Sequence, residues 1–229
     1  MGIYEEKLLV SKEAVRLLKE EEPRRVGLGS GTTMEVFVRE LSKDPISRKI
    51  DFVASSRAIG KIARELGLSV EGEEEFEPVD ITFDGADEVD EQLNLLKGGG
   101  GFLTRERILA ESSEKYVILV DHTKVVRRLC TNKPLPVEVI RFGMLNTAKK
   151  ISELTGGRTT LRRRGESVFV TENGNYILDV FLKPLNNPAR TYERLKLVPG
   201  VVEVGLFCRL ADLVLVGEGQ SVRLLSPTA

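Results

Sequence analysis

The stretch that most constrains this chain runs from residue 84 to residue 106 and reads DGADEVDEQLNLLKGGGGFLTRE. It follows an apolar run, Val79-Asp80-Ile81-Thr82-Phe83, that reads as a buried strand. It sets two acids three positions apart (Asp84 and Asp87), a lysine (Lys97) and four consecutive glycines (Gly98 to Gly101), and a helix-like segment then brings Glu106. Four glycines in a row lose much backbone entropy on folding. A chain carries them where backbone N–H groups must approach a ligand closely, often an anion. The segment therefore offers candidate acids, a cation and an oxyanion-binding loop. The competing reading is a surface hairpin with a flexible glycine turn.

Upstream, residues 4–20 place Leu8, Val10, Ala14, Leu17 and Leu18 at helical spacing and predict an amphipathic helix, ended by Pro23. Val26-Gly27-Leu28-Gly29-Ser30-Gly31-Thr32-Thr33 then reads as a strand, a glycine-rich turn and the start of a helix through Glu40. Free N–H groups and the helix dipole make such a turn an anion site. Ser30, Thr32 and Thr33 add hydroxyls. Thr32 stands where the third glycine of a dinucleotide fingerprint would be, and the next strand, Ile50 to Ala54, ends in Ser55-Ser56 instead of a ribose-binding acid. A monophosphate or other small anion fits better than a dinucleotide. Plain helix capping is the alternative use of Ser30 and Thr32.

The pattern repeats. A helix over 57–66 stops at Gly67, a short strand covers 68–70, and the strand 116–120 leads into Asp121-His122-Thr123-Lys124. Alternating strands and helices predict a parallel sheet, with ligands bound outside the carboxyl ends of its strands. After Lys133-Pro134-Leu135-Pro136 the pattern changes. Strands over 137–140, 159–163, 167–171, 176–181 and 201–206, with helices over 146–154 and 189–197, give the β-α-β-β-α-β order of a ferredoxin-like lobe plus one extra strand. Residues 211–217 and 222–225 read as strands that return to the first sheet. The expected fold is α/β: a Rossmann-like parallel-sheet domain over residues 1–130 plus 206–229, with an inserted smaller α+β (ferredoxin-like) domain over 131–205. The basic run Arg162-Arg163-Arg164 reads as a solvated hairpin turn.

Composition narrows the function classes. With 34 basic and 35 acidic residues the formal net charge is −1, so no global field favours nucleic acid or an acidic membrane surface. Two widely separated cysteines, Cys130 and Cys208, imply no disulfide framework and suit a cytoplasmic location. The acidic N-terminus lacks a signal-peptide core. His122 is the only histidine, so no histidine-rich metal site is expected. The remaining set of glycine turns, carboxylates and lysines suits proton transfer on a small phosphorylated molecule. Moving a carbonyl from C1 to C2 of a sugar needs a base to take a proton from carbon and donors to hold the enediolate oxygen.

With GLGSGTT at 27–33, Ser55-Ser56, DGADE at 84–88, KGGG at 97–100, LTRE at 103–106, DHTK at 121–124, PLPVEV at 134–139, PGVVEVGLF at 199–207 and ADLVLVG at 211–217, the chain resembles the ribose-5-phosphate isomerase family of the A type over nearly its whole length. The resemblance implies interconversion of D-ribose 5-phosphate and D-ribulose 5-phosphate through an enediolate, with no cofactor and no metal, in the non-oxidative pentose phosphate pathway. It implies that Glu106 is the proton-shuttling base, and that Lys97 with Gly98, Gly99 and Gly100 forms a substrate loop. It further implies that Asp84 and Asp87, flanking Gly85 and Ala86, hold sugar hydroxyls and assist ring opening. Ser30, Gly31, Thr32 and Thr33 supply the first loop, and Lys124 binds substrate at its phosphate. The family also uses a lysine near the N-terminus, for which Lys7 and Lys12 are both candidates. Two departures stand out: Ser30 and Gly31-Thr32 where members often have T-G-S, and His122, read as a surface histidine, where a small residue is common. Asp51 and Asp212 read as structural, and a helix-surface ion pair with Arg105 or Arg107 is the alternative for Glu106. A sugar-phosphate sensor and an acyl or CoA transferase are the competing functions on such an architecture. The second lobe suggests a homodimer or homotetramer.

Overall fold

Helical periodicity and apolar runs turn into elements largely where they occur. In the computed structural model, which describes residues 2–72 and 76–227, the N-terminal part is built first around parallel strands. It runs α1 (Ile3–Glu21), β1 (Arg25–Leu28), α2 (Thr32–Leu41), β2 (Asp51–Ala54), α3 (Arg57–Glu65), β3 (Ser69–Val70) and β4 (Val79–Asp84). Next come β5 (Glu88–Val89), β6 (Leu95–Leu96), α4 (Leu103–Glu111), β7 (Ser113–Asp121), β8 (Leu135–Val139), α5 (Met144–Thr155), β9 (Arg158–Leu161), β10 (Arg163–Arg164) and β11 (Ser167–Val168). The chain closes with β12 (Tyr176–Phe181), α6 (Pro188–Lys196), β13 (Val201–Val204), β14 (Leu206–Phe207), β15 (Leu213–Glu218) and β16 (Ser221–Leu225). Two compact units result: the chain up to Ala86 with Arg105–Val125 and the part from Leu210 onward, and Asp87–Thr104 with Val126–Arg209.

In the first unit the strands line up as β3-β2-β1-β4-β7-β15-β16. All neighbours are parallel except the β15–β16 pair. This is the doubly wound order, in which the chain reverses direction across the sheet between β1 and β4, the place where such folds bind ligands. The strands are buried on both faces, as β4 and the last six residues of β7 show, so they read as near-continuous apolar runs. Val10, Ala14 and Leu18 of α1 join Phe37, Phe52, Phe83, Val117 and Leu215 in one core cluster. Burying each such large side chain contributes about 1.5–3 kcal/mol. Asp51 and Asp212 take structural contacts: Asp51 accepts from the Ser69 hydroxyl at 2.9 Å and Asp212 from the Tyr116 N–H at 2.7 Å.

The second unit carries an antiparallel sheet in the order β13-β8-β12-β9, which is the fourth, first, third and second strand of a β-α-β-β-α-β chain and thus ferredoxin-like. Leu135, Val137, Val139, Ile151, Leu178, Val180 and Leu195 fill its core. The extra strand is the hairpin β10–β11. Residues 87–104 belong to this unit because β5 and β6 pair with each other and β6 pairs with β14, forming a separate three-stranded sheet. Glu88 fixes the neighbouring segment by accepting the N–H groups of Thr131, Asn132 and Lys133 at 3.3, 2.5 and 3.1 Å.

The basic run departs from its reading as a solvated turn. Arg163 and Arg164 are exposed in β10, but the Arg162 side chain is only 14% exposed and forks onto Asp179. Strand pairing explains this, because Arg162 continues β9 and donates its N–H to Ile177 O of β12, which places it beside that strand's acid. Among the described residues, no helix is long and apolar enough to cross a membrane.

Candidate active site

The first glycine turn lies at the carboxyl end of β1. Gly29 donates to Phe83 O of β4 at 2.8 Å. Its backbone lies so close to Asp84 that a Cβ at position 29 would meet Asp84 Oδ1 at 2.0 Å. The turn and Asp84 are thereby brought together, as the switch-point argument requires. Helix capping does not account for Ser30. The cap position of α2 is Gly31, with φ of 111° and no side-chain cap. Ser30 Oγ instead bonds Ser55 Oγ at 2.8 Å and Ser56 Oγ at 2.7 Å, joining the ends of β1 and β2. Thr32 and Thr33 open α2, so the dipole of a ten-residue helix points its positive end at this turn. Lys7 of α1 reaches the same place, its Nζ donating to Thr32 Oγ1 at 2.7 Å, whereas Lys12 is exposed. Of the two N-terminal lysines, Lys7 is the one at the first glycine turn.

Asp84 ends β4 with 0% exposure. Its Oδ1 accepts the Gly85 N–H at 2.7 Å and its Oδ2 accepts the Tyr116 phenol at 2.9 Å. Burial, then the nearby charges of Asp84 and Glu106, push the Tyr116 phenol well above its ordinary pKa. It therefore remains an O–H donor. Glu106 sits in the first turn of α4 and is 5% exposed, a carboxylate withdrawn from water at a favourable helix end. Lys124 closes a short turn after β7, half-buried, behind Asp121, whose Oδ1 accepts the Thr123 N–H at 3.1 Å and the Thr123 hydroxyl. His122 is exposed and pairs with Glu6 at 2.6 Å, in keeping with a surface histidine.

In the second unit, Asp87 has a different partner from Asp84. Its Oδ2 accepts the Gly99 N–H at 2.7 Å, and a Cβ at position 99 would meet Asp87 Oδ1 at 2.4 Å. Lys97 is 2% exposed, with its N–H on Gly205 O at 2.9 Å and its ammonium 5.7 Å from the Phe207 ring centroid. Gly98 (φ 96°) and Gly101 (φ 86°) close a turn in which the Gly101 N–H reaches Gly98 O at 3.0 Å, leaving Gly99 and Gly100 exposed. The glycines are thus an ordered turn with Asp87 and Arg162 as its supports, not a flexible hairpin tip. Among the described residues, no group of three or more His, Cys, Asp and Glu side chains is placed to hold a metal ion.

The model of ribose 5-phosphate isomerase A (phosphoriboisomerase A) matches residues 51–221. The chain belongs to the ribose 5-phosphate isomerase A family. It is 46% identical over 220 residues to the ribose-5-phosphate isomerase A of Korarchaeum cryptofilum, covering 96% of each chain. To that of Thermomicrobium roseum it is 40% identical over 230 residues, covering 98% of this chain and 95% of the other. Among solved structures, a D-ribose-5-phosphate isomerase in complex with phospho-erythronic acid superposes with a TM-score of 0.93 at 31% identity, over 99% of this chain and 100% of that one. The ribose 5-phosphate isomerase A of Methanocaldococcus jannaschii gives 0.90 at 36% identity, over 98% and 100%. As a ribose 5-phosphate isomerase A family member the chain is an isomerase of Rossmann-like α/β fold.

Tyr116 and Arg162 are not marked as site residues by the sequence, and Lys7 is one of two candidate lysines there. Tyr116 was hidden because it heads an apolar run, and only its Asp84 contact distinguishes it from core. Lys7 left two lysines of one helix unresolved, although the helical phase holds a usable signal: the buried Val10 and Ala14 lie three and seven positions on, along one stripe. Arg162 carried no local signal, since its partner Asp179 is 17 positions away on a paired strand.

Proposed function

We propose that the chain interconverts D-ribose 5-phosphate and D-ribulose 5-phosphate through an enediolate, with Glu106 as the general base. The observation that carries the reading is Glu106 itself: a carboxylate 5% exposed in the first turn of α4, whose charge adds to burial and to Asp84 in opposing ionisation of the Tyr116 phenol. In this reading Glu106 takes the proton from C2 of the aldose and returns it to C1, the hydroxyl proton of O2 passes to O1 of the enediolate, and the reverse direction retraces the path. The first glycine turn, with Ser30, Gly31, Thr32 and Thr33, takes the phosphate together with Lys7 and Lys124, supported by the α2 dipole and the Lys7–Thr32 contact. Asp84 and Asp87 hold sugar hydroxyls and assist ring opening, beside Gly85 and Ala86. Lys97 and the N–H groups of Gly98 and Gly100 stabilise the enediolate oxygen, while the Gly99 N–H, which donates to Asp87 Oδ2, holds that carboxylate in place. No cofactor or metal enters this scheme. A cytoplasmic homodimer or homotetramer completes it, to be read by sedimentation.

The test is turnover of ribose 5-phosphate by purified protein dialysed against chelator, beside Glu106→Gln. Turnover by the native protein with a loss of about 10²–10⁴-fold in the variant, substrate binding retained, supports both reaction and base. Equal activity in the two proteins removes Glu106 from its role. A native protein that binds the sugar phosphate without converting it is a sensor instead.

A further inference from the structure

We propose that Arg162 is a positioning residue for the glycine loop: anchored on Asp179, its guanidinium grips the Gly98 and Gly99 carbonyls and thereby aims the loop's N–H groups. The proposal deepens the isomerase reading and rests on it for the loop's role. Arg162 Nε and Nη2 meet the two oxygens of Asp179 at 2.9 and 2.5 Å. Nη1 is left to point at the loop and donates to Gly98 O at 2.7 Å and Gly99 O at 3.1 Å. This uses the planar fork of arginine in full, and a lysine ammonium cannot reproduce it. Both partners are largely withdrawn from water, with side chains 14% and 17% exposed.

The consequence follows from peptide geometry. No peptide bond among the described residues is cis, and in a trans peptide C=O and N–H point in opposite directions. Gripping Gly98 O on Arg162 turns the Gly99 N–H the other way, where Asp87 Oδ2 accepts it at 2.7 Å. Gripping Gly99 O turns the Gly100 N–H away from the guanidinium as well. One side chain therefore sets two successive peptide planes in a segment whose glycines would otherwise sample many. Phe169 reinforces the arrangement, since the Arg162 guanidinium lies 5.9 Å from its ring centroid and a Cβ at Gly101 would meet the ring at 2.4 Å. The loop is thus preorganised by the second unit's own sheet.

The test compares Arg162→Lys and Arg162→Ala with the native protein by thermal melting, amide hydrogen exchange at Gly99 and Gly100, and steady-state kinetics. The clamp predicts Gly99 exchange about tenfold faster in both variants than the change in global stability read from the melting temperature accounts for. It also predicts a kcat lower by about 10–100-fold with KM changed much less, because misplaced donors act on the transition state. Millimolar guanidinium should restore part of the kcat of Arg162→Ala and none of that of Glu106→Gln. Unchanged Gly99 exchange overturns the clamp whatever the rates do, and faster exchange with unchanged kcat overturns its role in the reaction. If the native protein does not convert ribose 5-phosphate, the isomerase reading fails while exchange still decides the clamp.

Discussion

The phenol of Tyr116 donates to Asp84 Oδ2 across 2.9 Å, with the tyrosine 1% and the aspartate 0% exposed. Tyr116→Phe keeps the ring and removes one donor from a buried carboxylate. We expect a loss of about 1–3 kcal/mol in stability, read by denaturant melting, together with reduced turnover. A variant with native stability and native activity would show that the contact holds nothing in place.

Gly29 and Gly31 belong to one turn but should respond differently to a methyl group. At Gly29 the added Cβ would lie 2.0 Å from Asp84 Oδ1 and 2.6 Å from Asp84 Cβ, which must move bodily. Gly29→Ala is expected to destabilise by about 1–3 kcal/mol and to depress activity by displacing Asp84. At Gly31 nothing lies within 4 Å, and the difficulty is the φ of 111°. Gly31→Ala should therefore cost about 1–3 kcal/mol through the backbone alone. Melting curves and kcat/KM of the two variants, side by side, separate the effects.

The Glu6–His122 pair gives a pH dependence with a definite sign. The hydrogen bond that the His122 ring donates to Glu6 raises the His122 pKa above its usual 6.5, against a smaller effect of desolvation. Burial alone would raise Glu6, but hydrogen bonds from His122 and Gly219 outweigh it and hold the carboxyl below 4.5. The histidine's contribution is complete below its unfolded pKa and disappears as pH rises through the raised folded value. The glutamate's contribution is complete above its unfolded pKa and disappears as pH falls through the lowered one. The melting temperature gap between the native protein and His122→Ala should be wide near pH 5.5 and narrower near pH 9, values on the order of those the usual pKa ranges bracket. A gap independent of pH contradicts the pairing.

Glu138 is a fully buried acid, 0% exposed, that accepts from Thr104 Oγ1, Thr171 Oγ1 at 2.9 Å, Asn173 Nδ2 at 3.2 Å and Asn175 Nδ2 at 2.9 Å. An amide in its place must turn an NH2 group toward donors. Glu138→Gln should lose about 1–3 kcal/mol by denaturant titration. Because Thr104 stands in the first turn of α4, two positions before Glu106, Thr104→Val tests how much of any lost activity passes through that helix.

Much of this molecule can be read along the chain, for reasons that also explain the rest. Strands such as β4 and β12 are long enough to display their burial, and the motif residues lie at element termini: Asp84 ends β4, Ser30 stands in the turn between β1 and α2, and Glu106 is in the first turn of α4. The two-residue strands β5 and β6 are too short for any period, and only their pairing with each other and that of β6 with β14, more than a hundred positions away, makes them strands. The acidic run at 84–90 does not say which acids face inward. Asp84 meets a phenol, Asp87 a glycine N–H and Glu88 three backbone donors, and each outcome depends on chain that arrives later. Arg162 looked like surface charge because local composition carries no trace of Asp179.

The pairing of β15 with β7, from Leu213 opposite Val117 to Gly217 opposite Asp121, sets an order of assembly. As the chain leaves the ribosome, β7 is made well before β15, and the residues from Val126 to Arg209 emerge in between. The second unit has all of its strands while the first still has an open edge at β7, with a row of N–H and C=O groups ready for any passing strand. Strand β15, made after the second unit, therefore covers the β7 edge, and a message broken before Leu213 yields a chain with one finished unit and one adhesive sheet edge.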